Sequence, residues 1–236
     1  VSPAIGPSCA EGAPLIAVTT GAGMLTALKG DGTILWQRGI GGSSQSWATS
    51  APVIFRASDG TARIAAAASE GRLSCFNAEG VLLWSQATRG TLASTISVGD
   101  LDLDGSPEVF CITQKGVIYR FEEDGRLLWE IDMQGRCLAA GSILDLTGDG
   151  TMQYAFCTQS GRFVVLNDKG EPIYEHVFDN RTINMTPTFG HVSASVPNTE
   201  MIVTGGESGR VFCFATHAPL NAKKQWSQYR GPNLAN

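Results

Sequence analysis

The stretch GVIYRFEEDGRLLW, residues 116–129, is a unit that recurs along the chain. Similar stretches begin at Gly23, Gly71, Gly161 and Gly209, so the five starting glycines are 48, 45, 45 and 48 residues apart. A fixed period of this size is typical of propellers, solenoids and arrays, in which each repeat is one supersecondary unit. The period therefore predicts a single domain over residues 1–236.

Each repeat divides into four short strand candidates separated by turn residues. In the third repeat the predicted strands are 91–98, 108–113, 117–121 and 126–131, and the breaks between them are DLDLDGSP, QKG and EEDG. Glycine, proline and aspartate favour turns, and the apolar runs between them have the length of strands. Helical periodicity is absent, so the sequence predicts an all-β fold.

The third strand of each repeat is apolar on both of its alternating faces. Ile118 alternates with Tyr119 and Phe121, and similar runs occur at 163–166 and 211–214. A half-solvated sheet would alternate apolar with polar residues, so these strands are expected to be covered on both sides. Such covering is what the stacking of one sheet on the next requires.

Two further positions recur near the end of each repeat. A tight hairpin needs a residue with a positive φ, which glycine adopts readily. Glycine occurs at this hairpin position in four of the repeats, as Gly32, Gly80, Gly125 and Gly170. A large ring then ends each repeat and is expected to pack one blade against the next, at Trp36, Trp84, Trp129, Tyr174 and Trp226.

These signals divide the chain into five repeats of four strands, at about 1–40, 41–88, 89–133, 134–178 and 179–232. Propellers usually contain about four to eight such blades. The sequence therefore predicts an all-β propeller. It is either a closed ring of five blades or five consecutive blades of a larger ring.

Composition excludes several classes of partner. The net charge of −5 leaves no basic stripe for nucleic acid, and no apolar run has the length of a membrane span. The chain begins at Val1 without a signal-peptide pattern, which predicts a mature product or a fragment.

The cysteines and histidines form no recognisable site. Cysteine spacing matches no metal finger, and no histidine has a nucleophile or acid at a catalytic spacing, so no catalytic residue is predicted. Four cysteines in apolar strands are expected to be buried thiols: Cys75, Cys111, Cys157 and Cys213. Cys9 and Cys137, nearer strand ends, are the candidates for pairing.

Three motifs resemble known propeller repeats. The pattern Ala-Leu-x-x-x-Gly-x-x-Leu-Trp at 27–36 resembles the repeat of quinoprotein-type (pyrroloquinoline quinone-like) β-propellers. The loop GDLDLDGSPEVF at 99–110 resembles the calcium-binding loop of FG-GAP and integrin-type propeller repeats. The tail WSQYRGPN at 226–233 is similar to segments that flank such propellers in secreted bacterial proteins. The resemblance implies the fold rather than one function.

Alternating carboxylates form one candidate metal site in the third repeat. Asp100, Asp102 and Asp104 converge on one point only around a positive charge, and oxygen-rich sites of this kind suit calcium. Ser106 is expected to offer a backbone carbonyl, and the FG-GAP resemblance implies that Glu108 closes the site. The alternative is a solvated acidic turn without an ion.

The equivalent loop one repeat later is a weaker candidate. It contains two carboxylates and replaces the others with neutral oxygens, which lowers its attraction for a divalent cation. Its candidate ligands are Asp145, Thr147, Asp149, Thr151 and Gln153. A weak or vacant site is expected there, and the second and fifth repeats have lost the pattern.

Together these features favour a non-catalytic binding or assembly module that holds calcium and works outside the cytoplasm, where free calcium is high. A protein partner or a larger assembly is expected. The alternatives are a quinoprotein-like oxidoreductase and the accessory propeller of a polysaccharide-active enzyme. Pyrroloquinoline quinone is not expected as a cofactor, because the tryptophans recur once per repeat for packing and no adjacent cysteines occur.

Overall fold

The structure is a computed structural model. It describes residues 3–6, 14–41, 50–92, 96–178, 185–190, 201–205, 211–215 and 224–226. Every secondary-structure element in these ranges is a β-strand, which confirms the all-β prediction. Within the same ranges there is no helix of the length and apolar character needed to cross a membrane.

Each of the first four repeats forms an antiparallel sheet whose four strands are ordered as in the chain. The strands of the first two blades are β1 (Ala4–Gly6), β2 (Leu15–Thr19), β3 (Met24–Lys29), β4 (Ile34–Gly39), β5 (Val53–Arg56), β6 (Ala62–Ala68), β7 (Arg72–Asn77) and β8 (Leu82–Ala87). Those of the third and fourth blades are β9 (Ser97–Gly99), β10 (Glu108–Ile112), β11 (Val117–Phe121), β12 (Leu127–Asp132), β13 (Ser142–Leu144), β14 (Gln153–Cys157), β15 (Arg162–Leu166) and β16 (Pro172–Val177).

The last repeat differs from the prediction. Its described strands β17 (Thr188–Gly190), β18 (Met201–Gly205) and β19 (Val211–Ala215) form a three-stranded sheet. The strand β20 (Lys224–Trp226), which was expected to be the outer strand of this blade, pairs with β13 of the fourth blade instead. The open edge of β13 offers unpaired backbone groups that β20 satisfies. Five complete four-stranded blades are therefore not confirmed.

The blades are arranged around inner strands that lie side by side. β1 is beside β5, β5 is beside β9, and β9 is beside β13. One hydroxyl group at the end of β2 and two on the inner strands β9 and β13 donate to backbone carbonyls at the start of the following blade. The three bonds are Thr19 Oγ1 to Ser50 (3.0 Å), Ser97 Oγ to Gly141 (2.8 Å) and Ser142 Oγ to Pro187 (2.6 Å).

The third strands of the third and fourth blades are covered on both sides, as the sequence predicted. β11 is buried at all five positions, and β15 at four of its five. β19 differs, because Val211 is 68% exposed and Cys213 is also exposed. β19 is the edge strand of the last described sheet, so among the described strands it has a neighbour on one side only.

A tryptophan of the outer strand contacts the next blade in each of the first three blades. The indole N–H groups of Trp36, Trp84 and Trp129 donate to backbone carbonyls in the hairpin between the third and fourth strands of the following blade. The acceptors are Ala78 at 2.7 Å, Glu123 at 2.8 Å and Asp168 at 3.0 Å. We call this contact the indole latch. Tyr174, which was expected to pack in the same way, is 48% exposed and contacts Phe163 of its own sheet.

The hairpin glycine allows the indole to approach. Gly80 and Gly125 have φ values of 79° and 90°, as predicted, and a Cβ on either would lie 2.5 or 2.6 Å from the tryptophan of the preceding blade. Gly32 of the first blade has a φ of 87°, but no described atom lies within 4 Å of its Cβ position. The glycine therefore has two roles in the later blades and one in the first.

A pair of alanine substitutions separates these two roles. Gly32→Ala should lower the free energy of unfolding by about 1 kcal/mol through backbone strain alone. Gly125→Ala should lower it by about 2–4 kcal/mol, because the new methyl group also displaces Trp84. Urea denaturation measures both losses, and equal losses would contradict the packing role of the glycine.

Candidate metal site

The candidate site lies in the loop between β9 and β10, at one end of the third blade. The pairing of Glu108 with Gly99 brings the two ends of the loop together. Leu103 and Gly105 have positive φ values of 63° and 94°, which turn the chain back on itself. The loop therefore encircles a small volume into which its acidic side chains can point.

The four carboxylates predicted as ligands converge. One oxygen from each of Asp100, Asp102, Asp104 and Glu108 lies within 4.8 Å of all the others. Among the described residues, no other group of three or more acidic, histidine or cysteine side chains is close enough to hold one ion. The structure thus brings together four of the five predicted ligands, and the identity of the ion stays a prediction.

Backbone N–H groups hold two of these carboxylates in place. Asp100 accepts hydrogen bonds from the N–H groups of Asp104 at 3.0 Å and Gly105 at 2.9 Å. Asp104 accepts one from the N–H of Ser106 at 2.8 Å. Ser106, the fifth predicted ligand, therefore donates its backbone N–H to another ligand of the set.

Glu108 is fully buried beneath the loop. Its Oε2 accepts a hydrogen bond from the N–H of Leu101 at 2.8 Å, and its Oε1 lies 3.1 Å from the Arg120 guanidinium. Burial outweighs these contacts and raises the pKa of Glu108 to about 7. A buried carboxylate with so few donors is stabilised by any positive charge placed beside it.

Arg120 is the residue that sequence reasoning did not single out. It is 3% exposed, and its Nη2 lies 2.6 Å from Asp102 Oδ2 and 3.1 Å from Glu108 Oε1. Its Nη1 donates at 2.7 Å to the Asp168 carbonyl, which also accepts the Trp129 indole. A charged residue inside the apolar run VIYRF was the one available signal, because buried charges require partners.

Negative charge remains in excess around the loop. Four carboxylates face one guanidinium, and Glu122 lies nearby. Burial, followed by repulsion from Asp104, raises the pKa of Glu122 despite its ion pair with Arg126 at 3.0 Å. The local field therefore favours an additional cation.

The second candidate loop, between β13 and β14, is closed by an amide. Gln153 Oε1 accepts the N–H of Leu146 at 2.6 Å, in the same way that the closing glutamate acts in the first loop. Its Nε2 donates to Thr151 Oγ1 at 2.8 Å and lies 3.3 Å from Thr147 Oγ1. The amide N–H groups therefore point at oxygens that were expected to bind a cation.

The two aspartates of this second loop already accept hydrogen bonds. Asp145 accepts the N–H groups of Gly148 at 2.6 Å and Gly150 at 2.9 Å. Asp149 accepts the hydroxyl and the N–H of Thr151, which hold its pKa below the ordinary value. The aspartates of the first loop accept equivalent backbone hydrogen bonds, so the two loops differ in the closing residue, and a weak or vacant second site stays a prediction.

The second blade has a third arrangement at the same place. Arg63 lies 45 residues before the closing glutamate, in the strand that follows the loop between β5 and β6. Its Nη2 is 3.5 Å from Asp59, and its Nη1 donates at 2.7 Å to the Glu123 carbonyl, which also accepts the indole of that blade. Each of the three loops thus has a nitrogen donor of the protein beside its acidic residues.

Comparison with known proteins identifies the family. The family described as outer membrane protein assembly factor BamB matches residues 12–235. The chain belongs to this family. The match confirms the predicted resemblance to quinoprotein-type propeller repeats. No curated protein matches the chain in sequence.

Solved structures agree with the propeller fold of the BamB family. BamB from Moraxella catarrhalis has a TM-score of 0.61 at 17% identity, over 90% of this chain and 58% of that one. A structure of BBS1N in complex with ARL6DN, soaked with lead, has a TM-score of 0.64 at 15% identity, over 98% and 72%. Sqt1 from Saccharomyces cerevisiae has a TM-score of 0.68 at 12% identity, over 93% and 61%. At these identities the likeness shows the fold alone.

The described cysteines of this BamB-family chain are thiols rather than disulfides. Four are buried, namely Cys75, Cys111, Cys137 and Cys157. Cys213 is exposed, so the prediction that it is buried is wrong; it lies on the edge strand β19. Burial raises the pKa of Cys75 and Cys137 to about 12, which keeps these thiols protonated and inert. Cys9, the other candidate for pairing, lies outside the described residues.

Gln153→Glu tests what closes the second loop. In chelator the variant should lose about 1–3 kcal/mol of stability, because the amide donors are lost and a buried carboxylate replaces them. Added calcium should restore stability, since three carboxylates would then face one point. Thermal melting measures both effects, and Gln153→Met, which removes the donors without adding charge, should not respond to calcium. If calcium does not raise the melting temperature of Gln153→Glu, the amide of Gln153 does not occupy the place that an ion would take.

Proposed function

We propose that this BamB-family chain is a non-catalytic assembly module that binds a protein partner outside the cytoplasm, and that one calcium ion stabilises its third blade. The observation that carries the metal part is the convergence of four carboxylates within 4.8 Å in one loop of a propeller blade. The assembly part rests on the family.

Family membership supports the assembly role. The matching family is described as an outer membrane protein assembly factor, and BamB from Moraxella catarrhalis shares the fold over 90% of this chain. BBS1N, which has a similar fold, was solved in complex with ARL6DN. Stacked sheets hold their loops rigidly, which suits recognition of a partner. Because the chain spans 58% of the BamB structure, the activity of the whole protein is part of the proposal.

The loop chemistry supports calcium as the ion. Carboxylate and carbonyl oxygens are hard ligands, and a loop that offers several of them around one point suits the coordination that calcium prefers. The side chains of Asp100, Asp102, Asp104 and Glu108 would hold the ion, with the backbone carbonyl of Ser106. The ion would supply positive charge to a buried glutamate and tie β9 to β10. Sites of modest affinity fill where free calcium is high, which supports a location outside the cytoplasm.

Calcium dependence of thermal melting tests the metal part. Calcium at 100 times its dissociation constant adds about 2.7 kcal/mol, which should raise the melting temperature by about 5–10 °C over that in chelator. Asp104→Asn should remove most of this rise, whereas the matched variant Asp149→Asn in the second loop should keep it. A wild-type transition that is identical with calcium and with chelator would contradict a filled site.

The assembly role is tested in cells. Deletion of the gene should reduce the amounts of outer membrane proteins, a plasmid-borne copy should restore them, and fractionation should recover the chain outside the cytoplasm. Unchanged outer membrane protein levels would contradict the assembly role. Loss of a quinone-dependent, dye-linked oxidation in the deletion strain would favour the oxidoreductase alternative instead.

A further inference from the structure

We propose that Arg120 is the resident counter-cation of the loop at 100–108, and that a divalent cation binds there by displacing its guanidinium from Asp102 and Glu108. This inference rests on the proposed calcium site for the identity of the ion. It adds the residue that sets the affinity of the site.

Arg120 competes for two of the candidate ligands. Its single Nη2 nitrogen lies between Asp102 Oδ2 at 2.6 Å and Glu108 Oε1 at 3.1 Å. A cation bound to the same two oxygens would be repelled by the guanidinium and would meet its N–H groups at contact distance. The ion and the guanidinium therefore cannot both use these oxygens.

The contact with Glu108 is also the easier one to exchange. Glu108 is fully buried, and its Oε1 makes no hydrogen bond of good geometry to any described group. The 3.1 Å ion pair with Arg120 is what neutralises that oxygen in the described structure. A buried carboxylate oxygen aimed at the acidic loop with charge compensation but no hydrogen bond is a position that a metal ion can take over.

The equivalent loops show why displacement is possible in this blade. In the fourth blade the closing residue, Gln153, carries its own donor, so the donor cannot leave without the closing side chain. In the second blade the closing residue is itself an arginine, Arg63. In the third blade the closing residue is an acid, and the donor comes from Arg120 on the neighbouring strand β11. Here the donor can move while the closing ligand stays.

The displaced guanidinium would remain anchored at the blade junction. Arg120 Nη1 donates to the Asp168 carbonyl at 2.7 Å, and Arg120 lies opposite Trp129, whose indole donates to the same carbonyl. Rotation about this anchor would release Asp102 and Glu108 without removing Arg120 from the interface. Filling the loop is thereby linked to the junction of the third and fourth blades.

Calorimetric titration of the full chain with calcium alone tests the inference. Arg120→Gln removes the charge and should tighten calcium binding about tenfold or more, because a unit charge near a divalent ion opposes its binding. Arg63→Gln is the matched control, since it removes the same kind of arginine-to-carbonyl bond from the second blade. It should leave the calcium affinity unchanged.

The outcomes separate this inference from the proposed function. Wild-type binding that Arg120→Gln does not tighten would overturn the inference and leave the calcium site standing. Binding by Arg120→Gln alone would overturn both the displacement step and the proposed calcium site, because it would show that calcium does not displace the guanidinium from the wild-type loop. Absence of binding in both folded proteins would overturn both proposals.

Nuclear magnetic resonance of the wild-type chain provides the test if Arg120→Gln does not fold. The Nε atoms of Arg120 and Arg63 are both buried and have no hydrogen-bond partner among the described groups, so each reports on its own surroundings. Calcium should shift the Arg120 Nε–H resonance and leave that of Arg63 in place. An unmoved Arg120 resonance would overturn the inference.

Discussion

The indole latch sets how one sheet stacks on the next. It requires a ring at a fixed place in the outer strand and a hairpin glycine whose missing side chain makes room for that ring. The latch is accompanied by a one-residue shift in the pairing of the third and fourth strands, which occurs at the same place in each of the first four blades. Because of this shift, the residues opposite the three latch tryptophans are Ala27, Cys75 and Arg120.

The latch also determines where buried charge can lie. In the third blade the residue opposite the tryptophan is Arg120, which reaches the same carbonyl as the indole. In the second blade that position is the small Cys75, and Arg63 from the adjacent strand reaches the equivalent carbonyl instead. Arg63 and Glu108 lie on the second strand of their respective blades, which begins directly after the acidic loop. A charged side chain that reaches the latch carbonyl therefore also lies close to the carboxylates of the loop. The packing of the blades and the chemistry of the loops therefore share side chains.

Sequence reasoning succeeded where the signal was local. The 45-residue period, the hairpin glycines and the alternate carboxylates predicted the first four sheets and the convergence in the loop, because turn chemistry and strand pattern depend on near neighbours. It failed to predict that β20 pairs with β13, since nothing in the segment 224–226 indicates that the inner edge of β13 is open. It also missed Arg120, because the diagonal contact of Arg120 with Glu108 depends on the register between β10 and β11, in which Arg120 pairs with Phe110.

One position in the repeat decides whether a blade can use an ion. Arginine at this position brings its own charge, and glutamine brings its own donors, so Arg63 and Gln153 satisfy their loops from within. Glutamate at the same position accepts hydrogen bonds but cannot supply them while ionised, and burial makes its charge expensive. Glu108 therefore needs a positive partner from elsewhere, and Arg120 supplies only one charge for four carboxylates. The demand for a cation follows from the closing residue together with the aspartates, and among the second, third and fourth blades it arises in the third alone.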